Sequence, residues 1–161
     1  MNLSHRIEIS PEIRIIGLST QMSLVENKTR QLWQEFMPHR AAILGKVNDI
    51  LFSIEVYSED FFNKFDPKKP FEKWAGIEIH QTQEKPSFFK ELVIPTGIYV
   101  VFNYKGKGSK VGQTYEYIIN TWLPQSGYKL ANRPHFAKMG SKYKNEDDNS
   151  QEELWVPIKS S

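Results

Sequence analysis

Glu153 and Trp155 stand two residues apart near the C-terminus, and Glu72 and Trp74 repeat that spacing in the first half of the chain. In an extended strand, residues i and i+2 share a face, so each pair would present a carboxylate beside an indole. Such a pair suits an organic cation. A carboxylate in a mostly apolar cleft is costly to ionise unless partnered, so it either keeps a raised pKa or awaits a positively charged ligand. Aromatic faces attract the same cation through their quadrupoles, adding roughly 0.5–2 kcal/mol each. Glu153, Trp155, Trp74 and Tyr99 form the expected ligand wall, with Tyr57 and Glu78 as further contacts and Phe52 as a weaker one. The plain alternative places Glu153 on an exposed edge strand, bonded to a lysine. A glutamate of raised pKa would also serve a hydrolase as general acid or water-orienting group, with Glu55 or Glu78 as a second acid. No dedicated nucleophile accompanies them.

Other chemistries find little support. There is no cysteine, which excludes disulfides, thiolate catalysis and cysteine-based metal sites. His5, His39, His80 and His135 are scattered without ligand spacing, so no metal site and no cofactor are expected. Gly106-Lys107-Gly108-Ser109 reads as a tight turn, lacking the spacing of a phosphate-binding loop. A formal charge of +2 is too small for a nucleic-acid footprint, and no apolar run approaches the roughly 18 residues that span a bilayer. The expectation is a cytoplasmic, soluble protein with no direct nucleic-acid binding, no membrane partner and a small hydrophobic or cationic ligand. The acidic stretch Glu146 to Asn149 leaves room for a protein partner, although a solvated linker explains it more simply.

The elements that must position these residues come in two similar sets, in pseudo-repeats 12–81 and 90–159 of a single domain spanning 1–161. The first set reads as a strand over 12–25 and a helix over 28–37 with a stripe of Leu32, Trp33, Phe36 and Met37. This helix has Asn27 as its cap and Gly45 as the stop after a continuing turn. Strands over 49–57 and 72–81 follow, separated by a greasy loop whose Phe61, Phe62 and Phe65 suit a lid. The second set reads as one strand over 92–104 and a helical stripe of Tyr115, Ile118, Ile119, Trp122 and Leu123 stopped by Gly127. A strand over 128–138 interrupted by Pro134 and a last strand over 152–159 complete it. Two such units predict an α+β fold, a curved antiparallel sheet with two helices on one face and the ligand cleft on the other. Leu154, Val156 and Ile158 should then face the helices. Glu153, Trp155 and Pro157 should face the cleft with Trp74 and Glu78, while Phe52 falls on the core side.

Five stretches in order resemble the GyrI-like effector-binding domains, which are related to the ligand-binding portion of AraC-type and BmrR-type bacterial regulators. They are Leu32 to Pro38, Phe71 to Ile79, Gly97 to Gly106, Trp122 to Tyr128 and Glu153 to Ile158. The resemblance implies a tandem-repeat α+β domain with a central cleft for hydrophobic, often cationic molecules. It also implies a buried glutamate on the last strand, matched here by Glu153. Regulators of this type carry a DNA-binding helix-turn-helix ahead of the domain, and Met1 to Pro11 is too short for one, so a stand-alone sensor or sequestering protein is the expected form. The resemblance further implies two alternatives, a hydrolase that opens strained rings in toxic natural products and an interaction module of the gyrase-inhibitor kind.

Overall fold

The computed structural model describes residues 3–161. Its strands are β1 (His5–Ser10), β2 (Ile13–Met22), β3 (Lys46–Val56), β4 (Phe71–Ile79), β5 (Lys90–Ile94), β6 (Gly97–Lys105), β7 (Tyr128–Leu130), β8 (His135–Met139) and β9 (Gln151–Ser160). Helix α1 (Thr29–Phe36) continues as a 3-10 turn through Met37–Ala42; α2 (Val111–Tyr117) runs through a π turn, Ile118–Trp122, into α3 (Leu123–Ser126). All strand pairs are antiparallel, in the order β1-β6-β9-β8-β3-β4-β2-β5, with β7 on β9. This order is a palindrome about the β8-β3 join: β6, β9 and β8 on one side correspond to β2, β4 and β3 on the other. The α+β class, the open antiparallel sheet and the two helical segments are as the pattern predicts.

Two strands escaped the pattern. β1 was not foreseen, and the expected single strand over 92–104 is two, β5 and β6, broken at Pro95 and Thr96. Proline has no N–H to give to a ladder, which favours a break at these positions. Pro11 makes the corresponding break between β1 and β2. The two broken strands are exchanged: β1 of the first half pairs with β6 of the second, and β5 of the second pairs with β2 of the first. The same logic splits the expected strand over 128–138 into β7 and β8 around Pro134. Gly127, at φ 81°, is the left-handed cap that stops the second helical segment, whereas the first ends at Ala42 with Ile43 extended, and Gly45, at φ 67°, turns the chain into β3 and not out of the helix. Asn27 accepts a bond from the Thr29 backbone N–H at 2.9 Å, at the entrance to α1.

Three apolar clusters fill the molecule. On the helix side, α1 seals Leu32 and Phe36 against Ile16, Leu18, Ala75, Ile77 and Ile79. The second helical segment seals Ile118 and Leu123 against Val100, Phe102, Leu154, Val156 and Ile158. The faces read from the period of two are thus correct for Leu154, Val156 and Ile158. On the opposite side Phe52, Ile54, Trp74, Tyr99, Val101, Phe136 and Trp155 pack into one buried cluster with Ile13, Ile15 and Ile94. Phe52 therefore lies with the tryptophans and not with the helices. The face expected to hold an open cleft is filled by its own large side chains, because curvature of the sheet brings their rings together.

Gly17 of β2 and Gly76 of β4 are paired across the ladder. A Cβ on Gly17 would lie 2.1 Å from the carbonyl oxygen of Ala75, a backbone atom that cannot step aside. Gly17→Ala is expected to lower stability by about 2–3 kcal/mol, as overpacking does, read as a lower urea midpoint at unchanged m-value.

Candidate functional site

The period of two that turns Trp155 away from the helices turns Glu152 toward them, in line with Leu154, Val156 and Ile158. Burial raises the Glu152 pKa from 4.5 to about 7; Lys73 opposes that rise, and Glu55 adds to it. Lys73 is itself bonded to Glu55, across the β3-β4 pair. Among the described residues no ion pair closes on Glu152, which stays a carboxyl group in search of a partner.

Beside Glu152, which the register places level with Met139, Leu51 and Ile77, a strip runs between the two helix-sealed clusters. Ala75, Ser53, Ala137 and Leu154 lie in one lateral row of the sheet, and Lys73, Glu55 and His135 in the next. The small side chains of Ser53 and Ala137 make a low floor where β3 meets β8, and both are half-buried. His135 is buried, and desolvation pushes its pKa down to about 3, so it is neutral at physiological pH. The Tyr115 hydroxyl from α2 meets its Nδ1.

At this end the strip opens into a groove of about 680 Å³ lined by Tyr57, Asp60, Phe62, Arg133, His135 and others. Tyr57 is its aromatic centre, with ring centroids 4.5 Å from Phe61, 4.9 Å from Phe62, 5.0 Å from Phe71 and 4.9 Å from His135. Burial, with a contribution from Glu55, holds the Tyr57 phenol well above its ordinary pKa, so it presents a neutral face and a donor. Of the three phenylalanines expected in a lid, Phe61 and Phe62 fold over Tyr57, and Phe65 remains 80% exposed.

The residues expected to form the ligand wall are divided between places. Trp155, Trp74 and Tyr99 lie buried in the cluster on the helix-free side, with Trp155 stacked on Phe136 at 5.3 Å and Tyr99 5.9 Å from Trp155. The Tyr99 hydroxyl donates to the carbonyl of Pro134 at 2.8 Å, and its pKa is pushed up to about 12 by burial. Each Glu-x-Trp pair makes the same bond. The Trp155 indole donates to Glu153 at 3.1 Å and the Trp74 indole to Glu72 at 2.5 Å. Glu153 is not buried as expected: its side chain is 34% exposed, and Arg6 binds it at 2.9 Å. The cations on these rings come from the chain itself. Lys138 lies 4.3 Å from the Trp155 ring centroid, Arg6 5.8 Å from it, and Arg133 5.1 Å from that of Tyr99. Glu78 lies at the far end of β4, in a small groove with Glu12, Arg14 and His80. Of the six, Tyr57 alone borders the large groove.

Glu152 was missed although a signal for it exists. It heads the strand face that continues as Leu154, Val156 and Ile158, an acid in register with an apolar face. Sequence reasoning looked to the other face because it placed the cleft there.

A duplicated sheet with one helical segment over each half is the architecture of a small-molecule receptor domain. The chain belongs to the GyrI-like small molecule binding domain family, whose model matches residues 4–159. It is 25% identical over 158 residues to the transcriptional regulator BrlR of Pseudomonas aeruginosa, a match covering 98% of this chain and 56% of that protein. The chain thus spans about half the length of this curated relative. Its fold is similar to that of SAV2435 bound to tetraphenylphosphonium, with a TM-score of 0.73 at 12% identity over 97% of this chain and 94% of that one. It is also similar to a hydrolase encoded by lin2189 from Listeria innocua, with a TM-score of 0.58 at 12% identity over 96% and 91% of the two chains. Among the described residues no helix is long and apolar enough to cross a membrane.

The raised pKa of Glu152 has a definite sign in stability. Between about pH 4.5 and 7 the native state keeps a proton that the unfolded chain releases. This contribution is therefore fully present below pH 4.5 and is lost as the pH rises through 7. Glu152→Gln removes the loss. In urea titrations at a series of pH values, the variant should match the parent near pH 4.5 and exceed it by on the order of 2 kcal/mol at pH 8.

Proposed function

We propose that this domain binds a lipophilic organic cation on the helix side of the sheet. Its charge would rest near Glu152 and Glu55, above the Ser53–Ala137 floor, and its aromatic body would extend toward Tyr57, Phe62 and His135. The observation that carries the reading is Glu152, a carboxyl on the helix side that has no salt bridge among the described residues and lies beside the half-buried Ser53–Ala137 floor between the two helix-sealed clusters. An incoming cation would lower the cost of ionising that carboxyl, so binding and deprotonation should be coupled. The tetraphenylphosphonium held by SAV2435 is a ligand of the same chemistry on a similar fold. The domain then acts as the sensing or sequestering part of its system, in keeping with its likeness to a regulator.

Tetraphenylphosphonium is the direct probe. In calorimetric titration at pH 8 it should bind saturably; Glu152→Gln should weaken it about tenfold or more without lowering the melting temperature, and Tyr57→Ala should weaken it comparably while also lowering the melting temperature through the ring packing it removes. Glu153→Gln should bind as the parent does. Absent binding, or loss with Glu153→Gln alone, would contradict this placement.

A second reading rests on the same carboxyl. With a pKa of about 7, Glu152 holds a transferable proton at neutral pH, which suits a general acid in a hydrolase. Turnover of a cyclopropane-bearing alkylating compound, lost in Glu152→Gln, would move the assignment from receptor to enzyme.

A further inference from the structure

β1 is the last strand at one end of the sheet, paired on one side with β6. Its hydrogen-bonding direction follows from a single bond. Asn103 N–H donates to the Ser4 carbonyl at 3.1 Å, and these two residues lie opposite each other in the register that continues as His5 to Phe102. In an antiparallel pair, alternate residues bond to the partner strand. Ser4, Arg6, Glu8 and Ser10 therefore point their backbone groups at β6, and His5, Ile7 and Ile9 point theirs off the edge. The side chains beside that open ladder are apolar and exposed, with Ile7 at 43%, Ile9 at 74% and the neighbouring Ile98 at 37%. An open edge flanked by bare isoleucines is a template for another strand.

The charges select which strand. Arg6 and Glu8 flank Ile7 on the opposite face of β1, where they bond to each other at 2.5 Å. A second copy of β1 laid antiparallel on the first has three registers that keep the outward backbone groups facing each other over most of the strand. Pairing His5 with Ile7 of the copy sets Arg6 against Arg6, and pairing Ile7 with Ile9 sets Glu8 against Glu8; both place like charges directly opposite, which is destabilising. Pairing Ile7 with Ile7 sets Arg6 against Glu8 twice, in the non-hydrogen-bonded positions where side chains approach most closely. The same register lets His5, Ile7 and Ile9 exchange backbone bonds across the join and places Ile7 on Ile7.

We propose that two copies of this chain associate through β1, antiparallel about Ile7, extending the sheet across a two-fold axis. The contact is isologous, because each surface is its own complement. The occupant is a second copy because the alternation of Arg6, Ile7 and Glu8 is self-complementary only about its own centre. The pairing lies at the outer end of the sheet and leaves the strip at Glu152 uncovered, so it does not depend on ligand binding.

Sedimentation equilibrium of the ligand-free full chain across a range of concentrations tests it, the monomer mass being 18.8 kDa. The parent should populate a species of twice that mass. Arg6→Glu and Glu8→Arg should each abolish it, and the double variant Arg6→Glu/Glu8→Arg, which restores opposite charges in the same register, should recover it. Ile7→Pro provides a control on folding: its N–H faces the open edge and is not used by β6, so it should yield a monomer with a parent-like near-ultraviolet circular dichroism spectrum. A parent that stays monomeric at all concentrations would overturn the proposal. So would a dimer that survives Ile7→Pro, or single charge variants that dimerise as the parent does.

Discussion

The antiparallel join of β3 to β8 is the constraint on which the rest of the structure depends. It is where the two halves meet, with Leu51 to Glu55 running against Met139 to His135. Each half seals its own sheet face with its own helix, and at the join itself Tyr115 of α2 meets His135 while Ser53 and Ala137 stay half-buried. A face of a sheet left without a cover must be polar, small-chained or occupied. Here it is Ser53, Glu55, Ala137 and His135, with Lys73 and Glu152 at its margins. The duplication thus creates the site by what it fails to bury.

The two faces of the sheet divide the labour. The helix-free face holds the rings in a packed cluster and satisfies its charges internally: the indoles of Trp74 and Trp155 bond to Glu72 and Glu153, and Arg6 and Lys138 cover Trp155. Every component of a cation site is present there, cation included, so that face is complete. The helix side contains the same kinds of group left incomplete. Burial, only partly opposed by Lys73, keeps Glu152 protonated at a pH where an exposed glutamate would be ionised. Under the proposed function, selectivity for a positive ligand would follow from the difference between a carboxyl that must lose a proton unaided and one that loses it to a bound cation.

Much of this was legible in the sequence. Period-two alternation placed Leu154, Val156 and Ile158 under a helix and Trp155 away from it, and Gly127 ended the second helical stretch. The recurrence of Glu-x-Trp correctly announced two equivalent strands, which make equivalent indole bonds. The sequence pattern was silent where the cause is not local. β1 is short and gains its place by pairing with β6, some ninety residues away by their numbering. The exchange of β1 and β5 between halves depends on which edge each finds. The helix-free face was expected to hold an open cleft and is filled for a similar reason: alternation says which residues share a face, and nothing in it says which face curvature will close. Glu153 and Glu152 are adjacent and chemically identical, and the sheet alone decides that one pairs with Arg6 while the other has no ion pair among the described residues.

The most direct test is where a bound cation touches the protein. With ¹³C-labelled protein and unlabelled tetraphenylphosphonium, isotope-filtered nuclear Overhauser spectra report contacts between the phenyl protons of the probe and individual side chains. The account predicts contacts to the Ala137 methyl group and the Tyr57 ring. Contacts to the Trp74 and Trp155 indoles in their place would contradict it.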